Sequence, residues 1–505
     1  MSLKLYNVLT GKKEEFIPQE EVVKMYACGI TVSDNAHIGH AYQAVIFDII
    51  RNYLEFKGMK VTYVRNYTDV DDKIIINARK NGENPLDYAE RFIKKTDDEL
   101  DRLGIKRPTI QARATDSIPD MIEFIQNLIK KGHAYATSDG CVYFDVSSFE
   151  KYGDFSHRNI DDAIIGVRKD IEPGKRDDRD FALWKSAGDD EIFWESPWGK
   201  GRPGWHIECS TMSMKFLGET LDIHGGGKDL KFPHHENEIA QSEALTGKRF
   251  SNYWMHNGLV KINGQKMSKS LGNGILLQDL LAQYDNDVIK VTLLQNNYRS
   301  DLNITDGMFE MNEKRIYSIY KLFDLINKVS EGVAPNKESD TYLEVKNKFI
   351  NAMDNDFNTS LAISYVFDYI TQLSQMVGKK DRIQDMVDLK SAIVDVYDVL
   401  ELFQKDPQPV LNNIKQKYLN INGITEETIL DLIEKRKVAK ESKDYATADE
   451  IRNQLTSNGI LIKDTSAGTE WDIDISLKKQ WNKWKSLEVD FFKYNNYGLN
   501  KKCAN

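Results

Sequence analysis

Two histidines and two acids fall within five residues at 234–238, in the stretch FPHHENE. The run PHHENEIAQSEAL reads as a helix start, since proline is tolerated in a first turn and early acids suit the positive end of the helix dipole. Residues four apart share a helix face, so His234 and Glu238 point one way and His235 another. An imidazole and a carboxylate on one face make half of a tetrahedral zinc site. Glu236 is out of phase with His234. An acid-rich helix start with one hydrogen-bonded histidine fits the same residues, and the stretch alone leaves both readings open. Two further motifs could handle phosphate. HIGH (37–40) sits where a helix start offers amides to an anion, and Gly39 permits close approach. KMSKS (266–270) carries two lysines three apart, able to offset charge on a leaving pyrophosphate. Each also reads plainly, as loop-lining histidines and as a solvated charged loop. In this order, each beside an α/β element, they are far more specific together than apart.

These residues need elements to position them. VVKMYACG (22–29) is a short apolar run fit for a buried strand. After it, Tyr42, Val45, Ile46, Ile49, Ile50, Tyr53 and Leu54 step as a helix face, and Gly58 is a natural stop. KVTYVRNYTD (60–69) alternates like a second strand. The resulting βαβ unit predicts an α/β fold with a doubly wound, Rossmann-like parallel sheet. Residues 86–133 read as helical, and 134–200 as an irregular insertion. A second α/β segment follows over 220–232, the 234 helix and 252–264. Helical periodicity dominates 310–405, and a boundary falls near QKDPQPV (404–410). The expected organisation is a first half of the α/β domain over 1–110, a connective insertion over 111–200 and a second half over 201–265. A region that opens on KMSKS (266–310), a helical bundle (311–405) and a small C-terminal domain with a tail (406–505) complete it.

The 505 residues exceed what one core supports. No apolar run approaches the ~18 residues of a membrane span, and the first residues lack the apolar core of a signal peptide. A cytoplasmic location, with no membrane partner, is expected. Cys28, Cys141, Cys209 and Cys503 form no CxxC pair, and four cysteines in such a chain are no disulfide framework. A net charge of −10 argues against nucleic-acid binding over the whole surface, but leaves room for a local basic patch.

YACGITVSDNAHIGHA, NYTDVDDKII, GRPGWHIECS, DIHGGGKDLKFPHHENEIAQSEA, NGLVKINGQKMSKSLGN and MDNDFNT, with DYATADEIRNQL and SAGTEW further on, carry a resemblance to class I aminoacyl-tRNA synthetases, within them to the cysteinyl family. The resemblance implies a pocket zinc held by Cys28, Cys209, His234 and Glu238, with the substrate sulfur joining the metal. Zinc binds thiolate well and a hydroxyl poorly. An apolar pocket distinguishes small side chains by only ~1–3 kcal/mol, whereas a specific polar contact does far better. It further implies phosphate stabilisation by His37, His40, Lys266 and Lys269, and a nucleotide met by Gly39, Gly227, Asp229, backbone at Val260, and Lys269. Gly29, Thr31, Thr68, Trp205 and His224 would form the amino-acid pocket, with Thr68 and Asp229 candidates for the substrate ammonium. Asp69, Asp71 and Asp72 are read as turn and helix caps, Mg²⁺ arriving with ATP.

The implied activity is ATP-dependent joining of L-cysteine to its tRNA, by a chain expected to act as a monomer. On the tRNA side, EKRKVAKESK (434–443) could track phosphates or be a solvated helix face, Trp471 could stack on a base, and the tail with Trp481 and Trp484 has no assigned role. Three rivals share fewer features. An enzyme joining cysteine to an amino sugar would lack the region after 310, an inactive RNA-binding paralogue needs none of the motifs, and a generic nucleotidyltransferase needs no zinc set.

Overall fold

The computed structural model describes residues 2–157, 174–188, 191–267, 272–465 and 468–475. They fall into two units, the residues up to Asp306 with Val333–Phe403, and Gly307–Gly332 with the residues from Gln404 on.

In the first unit a five-stranded sheet runs in the order Ser251–Asn257, Leu221–Gly227, Val22–Thr31, Lys60–Thr68, Ile110–Arg113. Every pairing is parallel. The strand first in the chain lies in the middle; the chain winds outward on one side, then returns to build the other. Parallel sheets are covered on both faces, so their strands read as apolar runs rather than alternations. The helix Ile38–Phe56 buries Tyr42, Val45, Ile46, Ile49, Ile50, Tyr53 and Leu54, the predicted face. Gly58 stops it at a φ of 85°, in the left-handed region.

Two expectations are corrected. The helical reading of 86–133 is broken by the strand Ile110–Arg113 between helices Pro85–Leu103 and Ile118–Lys130. Four residues, IQAR, are too few to declare a period of two against helical flanks. The insertion is not irregular throughout. Ala134–Ala136, Val142–Phe144, Phe181–Ser186 and Gly201–Pro203 form an antiparallel sheet. Its two halves are joined by the pairing of Val142–Phe144 with Phe181–Ser186, segments well separated in the chain.

Helices Asp340–Met353, Thr359–Met376 and Ile383–Tyr397 lie in the first unit, while Met308–Val329 lies in the second, so the stretch 311–405 contributes to both. The second unit adds helices Pro407–Asn422, Glu426–Glu441 and Tyr445–Ser457 and the hairpin Ile460–Thr465/Gly468–Ile473. Within it Lys417 pairs with Glu313 at 2.6 Å, and Arg436, 7% exposed, holds Asp464 at 2.8 and 3.1 Å.

Candidate active site

Strand order reverses between Val22–Thr31 and Leu221–Gly227, and open α/β sheets hold ligands at the carboxyl ends of such strands. Cys28 lies in the carboxyl-terminal half of one of this pair, and His224–Gly227 ends the other. The pairing of Val22–Thr31 with Lys60–Thr68 shifts register between Ala27 and Ile30, immediately around Cys28. Gly29 follows from a close approach: a Cβ there would lie 1.6 Å from the Asn66 carbonyl oxygen. Its N–H donates to Asn66 Oδ1 at 2.8 Å. Gln43, on the first helix, donates to the Cys28 carbonyl.

Around Cys28 the ligand atoms of Cys209, His234 and Glu238 gather within 4.8 Å of one another, all buried. His234 Nε2 stands 3.0 Å from Glu238 Oε1, as their four-residue spacing on the helix His234–Thr246 predicts. Cys28 Sγ is 3.4 Å from the same oxygen. A second set shares two of these residues: Cys28, His224, His235 and Glu238. His224 Nε2 lies 3.5 Å and His235 Nε2 3.3 Å from Cys28 Sγ. The expectation that His235 points away from the pair is therefore corrected. An i, i+3 pair also shares a helix face, and His235 stands 3.9 Å from Glu238. His224, expected as a pocket wall, is fully buried in this cluster. Glu236 is no part of it; its carboxylate accepts from the amides of Gly153 and Ser156 at 2.8 and 2.7 Å, tying the insertion to the site helix.

The donor chemistry fits a zinc ion: sulfur, imidazole nitrogen and carboxylate oxygen converge in a buried site. Polar atoms left without hydrogen-bond partners concentrate here too, among them Glu238 Oε2, His224 Nδ1 and His256 Nδ1. His224 Nε2 is 3.2 Å from that Glu238 oxygen, but outside hydrogen-bond geometry. The two sets differ in the aromatic rings that cover them. Trp205, 39% exposed, stacks on His234 at 4.3 Å between ring centres. His224 and His235 instead pack on Trp254 at 4.5 and 5.2 Å, with Phe250 and Tyr26 also against His224.

Electrostatics separates the two thiols. Burial raises Cys28, and hydrogen bonding to Cys209 raises it further. Burial would also raise Cys209, but hydrogen bonds from Cys28 and His234 outweigh it and bring that thiol down to about 6. Burial opposes charge on His234, yet Glu238 and Cys209 push it up to about 10. Burial likewise opposes charge on Glu238, and His224 and His234 overcome it, holding the carboxyl well below its ordinary range. Burial keeps His235 neutral.

HIGH and the segment from KMSKS onward meet directly. Met267 Cε is 3.3 Å from where a Cβ on Gly39 would stand. Ile38 N–H donates to the Ile275 carbonyl and Leu277 N–H to the Ala36 carbonyl, both at 2.9 Å. Lys266 is exposed on the strand Gln265–Lys266; Lys269 lies outside the described residues. The histidines form a reciprocal cap on the first helix. His37 Nδ1 accepts from the amides of Gly39 and His40 at 3.1 and 3.4 Å, and His40 Nδ1 from the His37 amide at 3.3 Å. The amides expected to face phosphate are thus taken by a ring. With Nδ1 accepting, each ring's proton sits on Nε2, making that nitrogen its donor. Burial, then His37, hold His40 neutral.

Thr31 and Thr68 are register partners at the ends of their strands. Asp229 is exposed, and a Cβ on Gly227 would meet its Oδ1 at 2.6 Å. Val260 is buried, paired with Leu302. The acids of TDVDD have protein partners. Asp69 accepts from Thr115, Asp71 caps the helix Asp72–Asn81, and Asp72 pairs with Lys185 and Arg202 at 2.9 and 2.8 Å. In the second unit Lys435, Lys437 and Lys440 pair with Asp431, Glu434 and Asp464, as on a solvated helix face, and Lys415 Nζ sits 4.8 Å from the Trp471 ring centre. Trp481, Trp484 and Cys503 lie outside the described residues. Sequence reasoning missed Asn66 and Glu208. Both stand within the quoted motifs, but no spacing rule connects either to the cluster.

A family model described as the tRNA synthetases class I (C) catalytic domain matches residues 15–314, and a DALR domain model matches 348–404. Methionyl-tRNA synthetase of Mycobacterium tuberculosis, in complex with methionyl-adenylate, superposes with a TM-score of 0.55 at 15% identity, covering 81% of this chain and 95% of that one. Fold and match define a class I aminoacyl-tRNA synthetase. The cysteine–tRNA ligase of Geotalea daltonii is 45% identical over 494 residues, spanning 94% of this chain and 100% of its own. That of Syntrophotalea carbinolica is 46% identical over 484 residues, spanning 93% and 99%. The chain belongs to the cysteine–tRNA ligase family, and is an enzyme. Among the described residues no helix is long and apolar enough to cross a membrane.

Proposed function

We propose that the chain activates L-cysteine with ATP and transfers it to its cognate tRNA, working as a monomer in the cytoplasm. The observation that carries this reading is the buried meeting of Cys28, Cys209, His234 and Glu238 at the sheet's switch point, next to the helix that HIGH opens. These four residues would hold zinc, which supplies selective affinity for the substrate thiolate. The partly exposed Trp205 ring, stacked on His234 where the amino-acid pocket would lie, favours this set over the one packed on Trp254. Gly29, Thr31 and Thr68 would line the amino-acid pocket with Trp205 and His224. Gly39, Gly227, Asp229 and Val260 would receive the adenosine, Mg²⁺ accompanying the ATP.

In the first step the cysteine carboxylate attacks the α-phosphate and pyrophosphate leaves. His37 and His40 offer Nε2–H donors, and Lys266 and Lys269 bring positive charge to the phosphates. Positioning and electrostatics supply the acceleration, with no covalent enzyme intermediate. In the second step the terminal adenosine of the tRNA attacks through its 2′-hydroxyl.

ATP–pyrophosphate exchange, run with cysteine and with serine before and after zinc removal, tests this reading. Exchange with cysteine alone, lost with the metal, is expected. No exchange with any amino acid from folded, zinc-loaded protein would overturn it.

The double use of His37 gives a separable prediction. His37→Ala should slow adenylate formation about a hundredfold and, by removing a helix cap, cost about 1 kcal/mol in urea unfolding. Asparagine is a good cap but lacks Nε2, so His37→Asn should keep the stability and still lose the rate. Full single-turnover activity in His37→Asn would refute the phosphate role.

A further inference from the structure

One carboxylate ties together two segments at the candidate nucleotide site. Asp301 directly precedes the strand Leu302–Ile304, which pairs with Val260–Ile262. Its Oδ1 accepts from Leu259 N–H at 3.0 Å and from Lys228 Nζ, and its Oδ2 accepts from Lys261 Nζ at 3.0 Å. Lys228 follows Gly227 at the carboxyl end of a sheet strand, while Leu259 and Lys261 flank Val260. Burial would raise the Asp301 carboxyl, but the two lysines and the Leu259 amide bring it down to about 2. Lys261 needs such a counter-charge: its register partner is Lys266, and like charges directly opposite each other repel.

The residues that carry Asp301 are themselves fixed. Asp356, fully buried, accepts from the Tyr298 hydroxyl at 2.9 Å and from Arg299 Nε at 2.8 Å. Gly258 N–H donates to the Tyr298 carbonyl at 2.7 Å and Leu302 N–H to the Leu259 carbonyl at 2.9 Å. A Cβ on Gly258 would lie 2.1 Å from the Ser300 carbonyl oxygen, so the two backbones touch. From this anchored position Asp301 sets the spacing between Gly227–Lys228 and Leu259–Lys261. A lone exposed ion pair contributes little. Here a carboxylate only 21% exposed gathers two ammonium groups and a backbone amide, and charge-assisted bonds are roughly twice as strong as neutral ones.

We infer that Asp301 is a positioning residue of the nucleotide subsite: its carboxylate fixes the loop after Gly227 against the Val260 backbone, at the spacing that receives adenosine. This rests on the reading of Gly227, Asp229 and Val260 as adenosine contacts.

The test is equilibrium dialysis of the zinc-loaded full chain against radiolabelled adenosine and, separately, L-cysteine. Adenosine carries no phosphate, so its affinity does not register lysines freed to meet one. Asp301→Ala should weaken adenosine about tenfold, leave cysteine within about twofold and leave zinc content unchanged. Asp301→Asn keeps an acceptor for Leu259 N–H but loses the charge, and should weaken adenosine about threefold. Adenosine is neutral, so that gap from wild type should close in about 1 M salt, where the lysine pairs are screened. Unchanged adenosine affinity in Asp301→Ala, an equal loss of cysteine, or a gap that salt leaves open overturns the inference. Asp229→Ala, at an exposed position, separates the underlying reading. If it weakens adenosine while Asp301→Ala does not, Asp301 alone is misassigned. If it leaves adenosine binding unchanged, the subsite reading fails and the role of Asp301 falls with it.

Discussion

Cys209→Ser should lose both the metal and the ability to tell cysteine from serine. Cys209 is the thiol that its neighbours bring down to about 6, the one prepared to act as a thiolate. A serine hydroxyl in its place is a poor zinc donor. Taking one ligand as about a quarter of the ~10–16 kcal/mol of a four-ligand zinc site, affinity should fall about a hundredfold or more. Discrimination should fall from about 10⁴, within reach of a site built around one polar contact, toward the ~10² that pocket shape alone supports. Metal analysis after dialysis against a chelator, and exchange rates for both amino acids, read the two effects. Unchanged zinc content with unchanged discrimination would remove Cys209 from the ligand set.

Gly29→Ala should damage the protein more than its size suggests. The added Cβ would sit 1.6 Å from the Asn66 carbonyl oxygen and 2.7 Å from its carbon, both backbone atoms of the neighbouring central strand. Neither can swing aside as a side chain could, so the strands must part immediately after Cys28. The expected loss is about 3 kcal/mol or more in urea unfolding, at the upper end of overpacking costs. The exchange rate and zinc content should fall with it, since displacing Asn66 disturbs the Gly29 amide bond and the Thr68 contact together. Wild-type unfolding and zinc content in Gly29→Ala would contradict the close approach.

Much of the site was legible because helical and strand periods are short-range rules. The four-residue spacing of His234 and Glu238, the strand before HIGH and the apolar face of the first helix each lie inside one element, where spacing dictates direction. His235 was misjudged by treating only i+4 as a shared face. The edge strand Ile110–Arg113 and the insertion sheet were missed because most of their strands are only three or four residues long, too short to declare a period, and both depend on pairings with segments far away in the chain. Asn66 and Glu208 carry no pattern; their contacts with Gly29 and Thr68 exist only where two strands and the helix Trp205–Leu217 converge.

By itself, then, the sequence determined the kinds of donor available, the family motifs and the main βαβ elements, since these depend on residue type and local period. Tertiary structure alone decided that HIGH and Met267 touch, that His224 and His235 crowd the metal cluster, and that Glu208 is buried against Thr68. The physical reason is strand order: it places Cys28 beside His224 across 196 positions of chain, and no local rule encodes that pairing.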